Sequence, residues 1–95
     1  MISNTEKNII IDTLKPYNPV FIGLFGSYAR NEEAENSDID ILYDFKSDYT
    51  LFDLMDIKEL LKNKLNKNVD LVSRQFLNRH FVQSINNDLK ILFNA

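Results

Sequence analysis

Residues 38–45 alternate between acidic and apolar side chains, and this alternation restricts the fold more than any other part of the sequence. Successive side chains of a β-strand point to opposite faces of a sheet, so residues two apart share a face. The segment therefore predicts a strand with one face against a core and one acidic face. The apolar face consists of Ile39, Ile41, Tyr43 and Phe45, and the other of Asp38, Asp40, Leu42 and Asp44.

The rest of the chain alternates between helical and strand patterns. Ser3 and Glu6 have the spacing of a capping box that opens a helix, and Pro16 predicts its end. Further helices are predicted at 51–65 and 77–89, the last with an apolar face at four-residue spacing. That face consists of Phe81, Ile85 and Leu89. Further strands are predicted at 20–25 and 69–72, with residues 90–93 a short strand or a tail.

The order of these elements predicts an α/β (α+β) fold, in which helices cover a small β-sheet. About 12 residues connect the first two strands, and a parallel crossover needs a dozen or more residues, usually including a helix. We therefore expect the first two strands to be antiparallel and the sheet to be mixed.

Size and composition restrict the kind of protein. The chain of 95 residues predicts one domain, 1–95, and the absence of cysteine excludes thiolate metal sites and cysteine nucleophiles. A net charge of −3 argues against a surface built for nucleic acid, so no direct nucleic-acid binding is expected. The sequence shows neither a signal-peptide pattern nor an apolar run of about 20 residues, so a cytoplasmic protein without membrane contact is expected.

Asp38 and Asp40 are the first candidates for a metal site. On a strand their Cα atoms lie about 6.7 Å apart with both side chains on one face. Carboxylates about 5 Å apart repel by about 3 kcal/mol at an effective dielectric of about 20, and a divalent cation between them reverses the sign. Asp70, on the third predicted strand, joins them if that strand lies alongside. Three such carboxylates suit Mg²⁺, and a pair of ions suits phosphoryl displacement.

Gly26 and Ser27 follow the strand predicted at 20–25 and are candidates for binding phosphate. A glycine at a strand end lets the backbone approach a phosphate closely, and the Ser27 hydroxyl adds a donor. Residues 28–30 suit a short helix or a turn, and a helix there would direct free N–H groups at the phosphate. Asn31 suits a left-handed conformation in that turn.

Three segments of the chain together resemble the minimal nucleotidyltransferase family of the DNA polymerase β superfamily. They are Gly26-Ser-Tyr-Ala-Arg30, Ser37-Asp-Ile-Asp-Ile-Leu42 and Val69-Asp-Leu-Val72. The family pattern is G-S-x-A-R-G-E-A, S-D-I-D-L and a later V-D-L-V, and this chain has Asn31 where the pattern usually has Gly. The resemblance implies a polymerase β palm-like nucleotidyltransferase fold.

The resemblance also implies roles for individual residues. Asp38, Asp40 and Asp70 would be the catalytic, Mg²⁺-binding carboxylates, with Asp70 a metal ligand or a base toward the acceptor hydroxyl. Gly26 and Ser27 would bind the triphosphate of ATP. Members of the family are commonly antitoxins, so the implied activity is transfer of AMP to a tyrosine of a HEPN ribonuclease toxin, which neutralises it.

Several alternatives stay open on the sequence alone. Arg30 matches the family arginine and would bind either a phosphate or a neighbouring acid. Gly26 would serve only as a strand-end turn if it binds no phosphate, and Asp44 is predicted to be solvated. Apolar residues crowd the start of the helix predicted at 51–65, and some of Leu51, Phe52 and Met55 are candidates for a partner surface.

The main alternative function is an antitoxin that neutralises its toxin by binding alone. Transfer to a small molecule would require a second domain to hold the acceptor, and a polymerase would require fingers and thumb regions, for which 95 residues leave no room.

Overall fold

The computed structural model describes residues 2–77 and 79–95, without the side chains at 79 and 80. These residues form three helices and four strands. In chain order they are α1 (Asn4–Leu14), β1 (Pro19–Phe25), β2 (Ile39–Phe45), α2 (Leu51–Leu65), β3 (Val69–Ser73), α3 (Arg79–Asp88) and β4 (Lys90–Asn94). Short 3₁₀ turns follow α1 at Lys15–Tyr17 and β3 at Arg74–Phe76.

Side-chain caps fix where the first two helices begin. Ser3 and Glu6 form the predicted capping box at α1, and Thr50 and Asp53 form a second one at α2. Pro16 lies in the 3₁₀ turn that ends α1, as predicted. The helices that cover the sheet are thus bounded by local sequence signals, independently of the contacts they make.

The sheet has the strand order β3-β2-β1-β4. β1 is antiparallel to both β2 and β4, whereas β2 and β3 are parallel. The predictions of a mixed sheet and of antiparallel first strands are therefore confirmed, and residues 90–94 are a strand rather than a tail. The parallel pair is possible because α2 supplies the crossover from β2 to β3.

Side chains from both sides of the sheet form two buried clusters. The larger cluster joins α1 and α2 to the apolar face of β2, including Ile39, Ile41 and Ile57. The smaller one lies on the opposite face, where Phe21 and Leu42 meet Ile85 of α3. Both faces of β2 are thereby fixed, and its even-numbered positions share the face that carries α3.

The apolar face predicted for the last helix is only partly buried, and Phe81 lies outside the core. Its side chain is 61% exposed, whereas Ile85 is buried and Leu89 is half-buried. Helix α3 ends at Asp88, so Leu89 contacts the sheet from the connection to β4. The apolar spacing identified the helix, but a helix of 10 residues on a narrow sheet buries little of its length. Within the described residues, no helix combines the length and apolar character needed to cross a membrane.

Candidate active site

The three candidate carboxylates come together at one end of β2 and β3. Asp40 is the register partner of Asp70 across the parallel pair, and Asp38 stands directly before β2. Paired residues of neighbouring strands share a face, so Asp70 lies beside Asp40 on one face of the sheet. The gathering of the three carboxylates around metal ions stays a prediction. Asp38 and Asp70 are exposed, whereas Asp40 is half-buried.

Burial and like charge both act on Asp40. Desolvation first, then repulsion from Asp70 and Asp38, raise the pKa of Asp40 to about 6, while the charge of Arg30 opposes the shift. Because neighbouring charges contribute to this shift, the three carboxylates lie close enough to interact. The site therefore has an excess of negative charge that a cation would relieve.

Gly26 forms the wall of the site next to Asp40. Its φ of +76° is one that side-chain-bearing residues rarely adopt. A Cβ atom at this position would overlap Oδ2 of Asp40 and approach its Cγ to 3.2 Å. The glycine is therefore required for its backbone conformation and for the space that the Asp40 carboxylate occupies.

Residues 27–31 form consecutive turns rather than a helix. Arg30 N donates to Gly26 O at 3.1 Å, Glu32 N donates to Ser27 O at 2.9 Å, and Asn31 has a left-handed φ of 58°. Of the two predicted alternatives, the turn is the one found, and the expected conformation of Asn31 is confirmed. No helix N-terminus is thus directed at a phosphate from residues 27–31. Ser27 is half-buried in this turn, and its role toward phosphate stays a prediction.

Arg30 makes ion pairs in this structure. Its Nη1 lies 2.7 Å from Oδ2 of Asp88 at the end of α3, and its Nε lies 3.0 Å from Oε2 of Glu32. Its charge also lowers the pKa of Asp40. Of the two alternatives for Arg30, the pairing with neighbouring acids is therefore the one found in this structure. From this position its charge still affects the carboxylate of Asp40.

The prediction that Asp44 is solvated is wrong. Its carboxylate accepts hydrogen bonds from Arg74 Nη2 and Gln75 Nε2, each at 2.8 Å, and its side chain is 15% exposed. The Arg74 guanidinium also lies 4.5 Å from the centre of the Phe21 ring. The parallel register places Tyr43 opposite Ser73, so the residues that follow β3 reach Asp44. Sequence spacing along one strand contains no information about this contact.

Lys58 is a residue near the site that the sequence did not single out. From α2 its Nζ reaches to 3.7 Å from Oδ1 of Asp70. Both side chains are about half exposed, so the pair is weak. The available signal was that Lys58 and Lys62 lie four residues apart on the helix that precedes β3.

The carboxylates fit a magnesium ion by their chemistry. Oxygen ligands from a few carboxylates are what Mg²⁺ prefers, and the mutual repulsion at Asp40 is what a bound cation relieves. Among the residues that the structure describes, no three acidic or histidine side chains are already arranged around a common point. Asp40 is directed at Gly26 and Asp70 at Lys58, so side-chain rotation would be needed to share an ion.

Residues 8–95 match the protein family described as polymerase beta, nucleotidyltransferase. A Methanocaldococcus jannaschii relative, provisionally named a protein adenylyltransferase, is 42% identical over 69 residues, which cover 72% of this chain and 70% of the relative. Protein adenylyltransferase MntA of Thermococcus cleftensis is 39% identical over 64 residues, covering 67% of this chain and 65% of that protein. In a crystal structure of a toxin–antitoxin with AMP-PNP, one chain matches with a TM-score of 0.84 and 27% identity, covering 94% of this chain and 73% of that chain.

Proposed function

The chain belongs to the polymerase beta nucleotidyltransferase family, and from this premise we propose that it is an antitoxin that transfers AMP from ATP to a protein. The acceptor in this proposal is a tyrosine hydroxyl of a HEPN ribonuclease toxin, which the modification neutralises. The observation that carries the proposal is the meeting of Gly26 with Asp40 and of Asp40 with Asp70 at one end of the sheet.

The donor side of the site lies at the end of β1. The backbone of Gly26 and the hydroxyl of Ser27 bind the triphosphate of ATP in this proposal, because the glycine has no side chain to block a phosphate oxygen. Arg30 adds a positive charge nearby. An ATP analogue, AMP-PNP, in the similar toxin–antitoxin structure supports ATP as the co-substrate.

The reaction breaks one P–O bond and forms another. The acceptor oxygen attacks the α-phosphorus, pyrophosphate leaves, and Asp70 receives the proton of the acceptor hydroxyl. Asp38, Asp40 and Asp70 would hold two Mg²⁺ ions, which supply positive charge to the phosphates when bound. Asp40 must be ionised for this role, and its raised pKa means that without a cation it is only half ionised at about pH 6.

The proposed acceptor follows from the relatives. Two of them carry the name protein adenylyltransferase, and the similar crystal structure is of a toxin–antitoxin. A protein acceptor also fits the site, since Asp38 and Asp70 are exposed at its edge.

Mass spectrometry of the toxin tests this proposal. The chain is incubated with ATP, Mg²⁺ and the HEPN-type protein of a neighbouring gene, and the expected result is a gain of one or more AMP groups on tyrosine. Asp40→Asn should abolish the gain, whereas Asp56→Asn, an exposed acid on α2, should preserve it. Transfer that persists in Asp40→Asn would contradict the proposed site.

Cell protection separates the catalytic antitoxin from one that acts by binding alone. We expect the double variant Asp38→Asn/Asp40→Asn to bind the toxin without protecting cells from it. Full protection by that variant would favour the binding-only alternative.

A further inference from the structure

The order of strands in the sheet determines from which side an acceptor can approach. Gly26 follows β1, Asp40 lies on β2 and Asp70 lies on β3. The proposed triphosphate site at Gly26 is therefore separated from Asp70 by two strand spacings, about 10 Å. In phosphoryl transfer the attacking and leaving oxygens lie on opposite sides of phosphorus. With the donor held at Gly26, the acceptor therefore enters from the β3 side.

The β3 side contains a depression of about 260 Å³ between α2 and the starts of β2 and β3. Asp38 and Asp70 form its wall toward the sheet, and Lys58 and Lys62 project into it from α2. β3 is the outer strand of the described sheet, so the depression opens toward solvent. An acceptor group placed there would lie against Asp70, the residue proposed to take its proton.

A second, larger groove continues from this depression. It has a volume of about 450 Å³ and shares Lys62 and Asn68 with the first, so the two form one surface along the end of α2. Its walls are rich in amide side chains, including Asn36, Asn63 and Asn66. Each amide offers both hydrogen-bond donors and an acceptor, which suits the N–H and C=O groups of an extended peptide.

Lys62 is the cation of this surface that is available to a ligand. Lys67 is held by Glu6 at 2.7 Å, and Lys58 lies beside Asp70. Lys62 has no ion pair among the residues whose side chains the structure describes, and its side chain is exposed. Lys62 lies where the two depressions meet, in the same depression as Asp70.

From this geometry we infer that the surface formed by Lys62, Asn68 and the adjoining amides binds an extended segment of the acceptor protein, with Lys62 pairing a carboxylate near the acceptor hydroxyl. The inference rests on the proposed function and names the surface that recognises its substrate. A nucleic-acid strand fits less well, because Glu35, Glu59 and Asp70 line the same walls and would repel a continuous row of phosphates.

Lys62→Glu tests the inference against Lys64→Glu. Both lysines lie in the last turn of α2, so the helix terminus loses the same charge, but Lys64 is directed at Thr13 of α1 (3.5 Å) and not into the groove. With ATP, Mg²⁺ and the HEPN-type protein, Lys62→Glu should raise the KM for the acceptor at least about tenfold, because an attraction becomes a repulsion. ATP affinity and kcat at saturating acceptor should stay near those of the wild type, and Lys64→Glu should match the wild type throughout.

Zero-length carbodiimide crosslinking tests the contact without requiring transfer. Lys62 should crosslink to an Asp or Glu of the acceptor protein, and Lys62→Gln should lose that crosslink. If wild-type protein binds ATP but labels no acceptor, the proposed function fails, and the crosslink still reports on the surface. Equal acceptor KM values for Lys62→Glu and Lys64→Glu, a loss of ATP affinity in Lys62→Glu, or RNA competing for the Lys62 crosslink would each overturn the inference.

Discussion

The carboxylate of Asp40 occupies the space that a Cβ atom at Gly26 would take. The two residues lie on neighbouring antiparallel strands, where Asp40 pairs with Phe25, the residue before the glycine. The proposed triphosphate site and the candidate metal site thus share one contact. A side chain added at position 26 would change both at once.

Gly26→Ala should therefore affect the site more than the fold. The left-handed φ costs a non-glycine residue about 1 kcal/mol, and displacing Asp40 adds to it, so the free energy of unfolding should fall by about 1–3 kcal/mol. ATP binding, measured by calorimetry, should be lost in protein that is still folded. Gly23→Ala is the matched control, since its Cβ would meet Leu89 Cδ1 at 2.6 Å, away from the carboxylates. It should reduce stability and retain ATP binding.

The pKa of Asp40 predicts how stability depends on pH without metal. The pKa of Asp40 in the folded chain, about 6, lies above the ordinary pKa of 3.8, so the folded chain holds more protons than the unfolded chain between those two values. The contribution of Asp40 to the free energy of unfolding is therefore full below about pH 3.8 and is lost as the pH rises through about 6. Because Asp40 is only half-buried, solvent screening reduces the effect to about 1 kcal/mol.

Denaturant titrations of the metal-free chain at pH 5 and pH 8 check this pH dependence. Asp40→Asn should gain about 1 kcal/mol over the wild type at pH 8 and about half of that at pH 5, because the unfolded chain is already ionised at pH 5. Mg²⁺ with ATP should stabilise the wild type at pH 8 and not the variant. A variant that is less stable than the wild type at pH 8 would contradict the repulsion at Asp40.

Asp44→Asn should destabilise the fold without affecting the site. Asp44 accepts hydrogen bonds from Arg74 and Gln75, and its side chain is mostly buried. Loss of charge-assisted hydrogen bonds at such a position costs about 1–3 kcal/mol. Thermal unfolding should show the loss, and the affinity for ATP should be unchanged. Asp56→Asn on the exposed face of α2 should change neither.

Arg30→Gln and Asp88→Asn separate the two roles left open for Arg30. If Arg30 binds phosphate in the reaction, Arg30→Gln should weaken ATP several-fold, whereas Asp88→Asn should leave the affinity equal or higher because it releases the guanidinium from its 2.7 Å ion pair. Fluorescence titration with a labelled ATP analogue measures both. Equal losses in the two variants would show that Arg30 acts through its contact with α3.

The sequence predicted those elements whose signals are local. The capping box at Ser3, the end of α1 near Pro16 and the left-handed Asn31 each depend on a few neighbouring residues. The pairing of Asp40 with Asp70 was also predictable, because strand alternation together with a crossover helix leaves few possible arrangements. The family resemblance is confirmed by the match over residues 8–95, whereas the roles of the individual site residues stay predictions.

The features that the sequence did not predict concern contacts between distant segments. The contacts of Asp44 come from the turn after β3, and the exposure of Phe81 depends on how far α3 extends over the sheet. Lys58 reaches Asp70 because α2 crosses beside β3. Such contacts depend on the packing of whole elements, which periodicity within one element does not report.

Both ends of the connection between β1 and β2 belong to the candidate site, since Gly26 begins it and Asp38 ends it. A ligand that contacts both ends would hold the two ends of this connection together. The two strands would then separate more slowly when the nucleotide is bound, so the backbone amides of β1 and β2 should gain more protection from hydrogen exchange than those of α3.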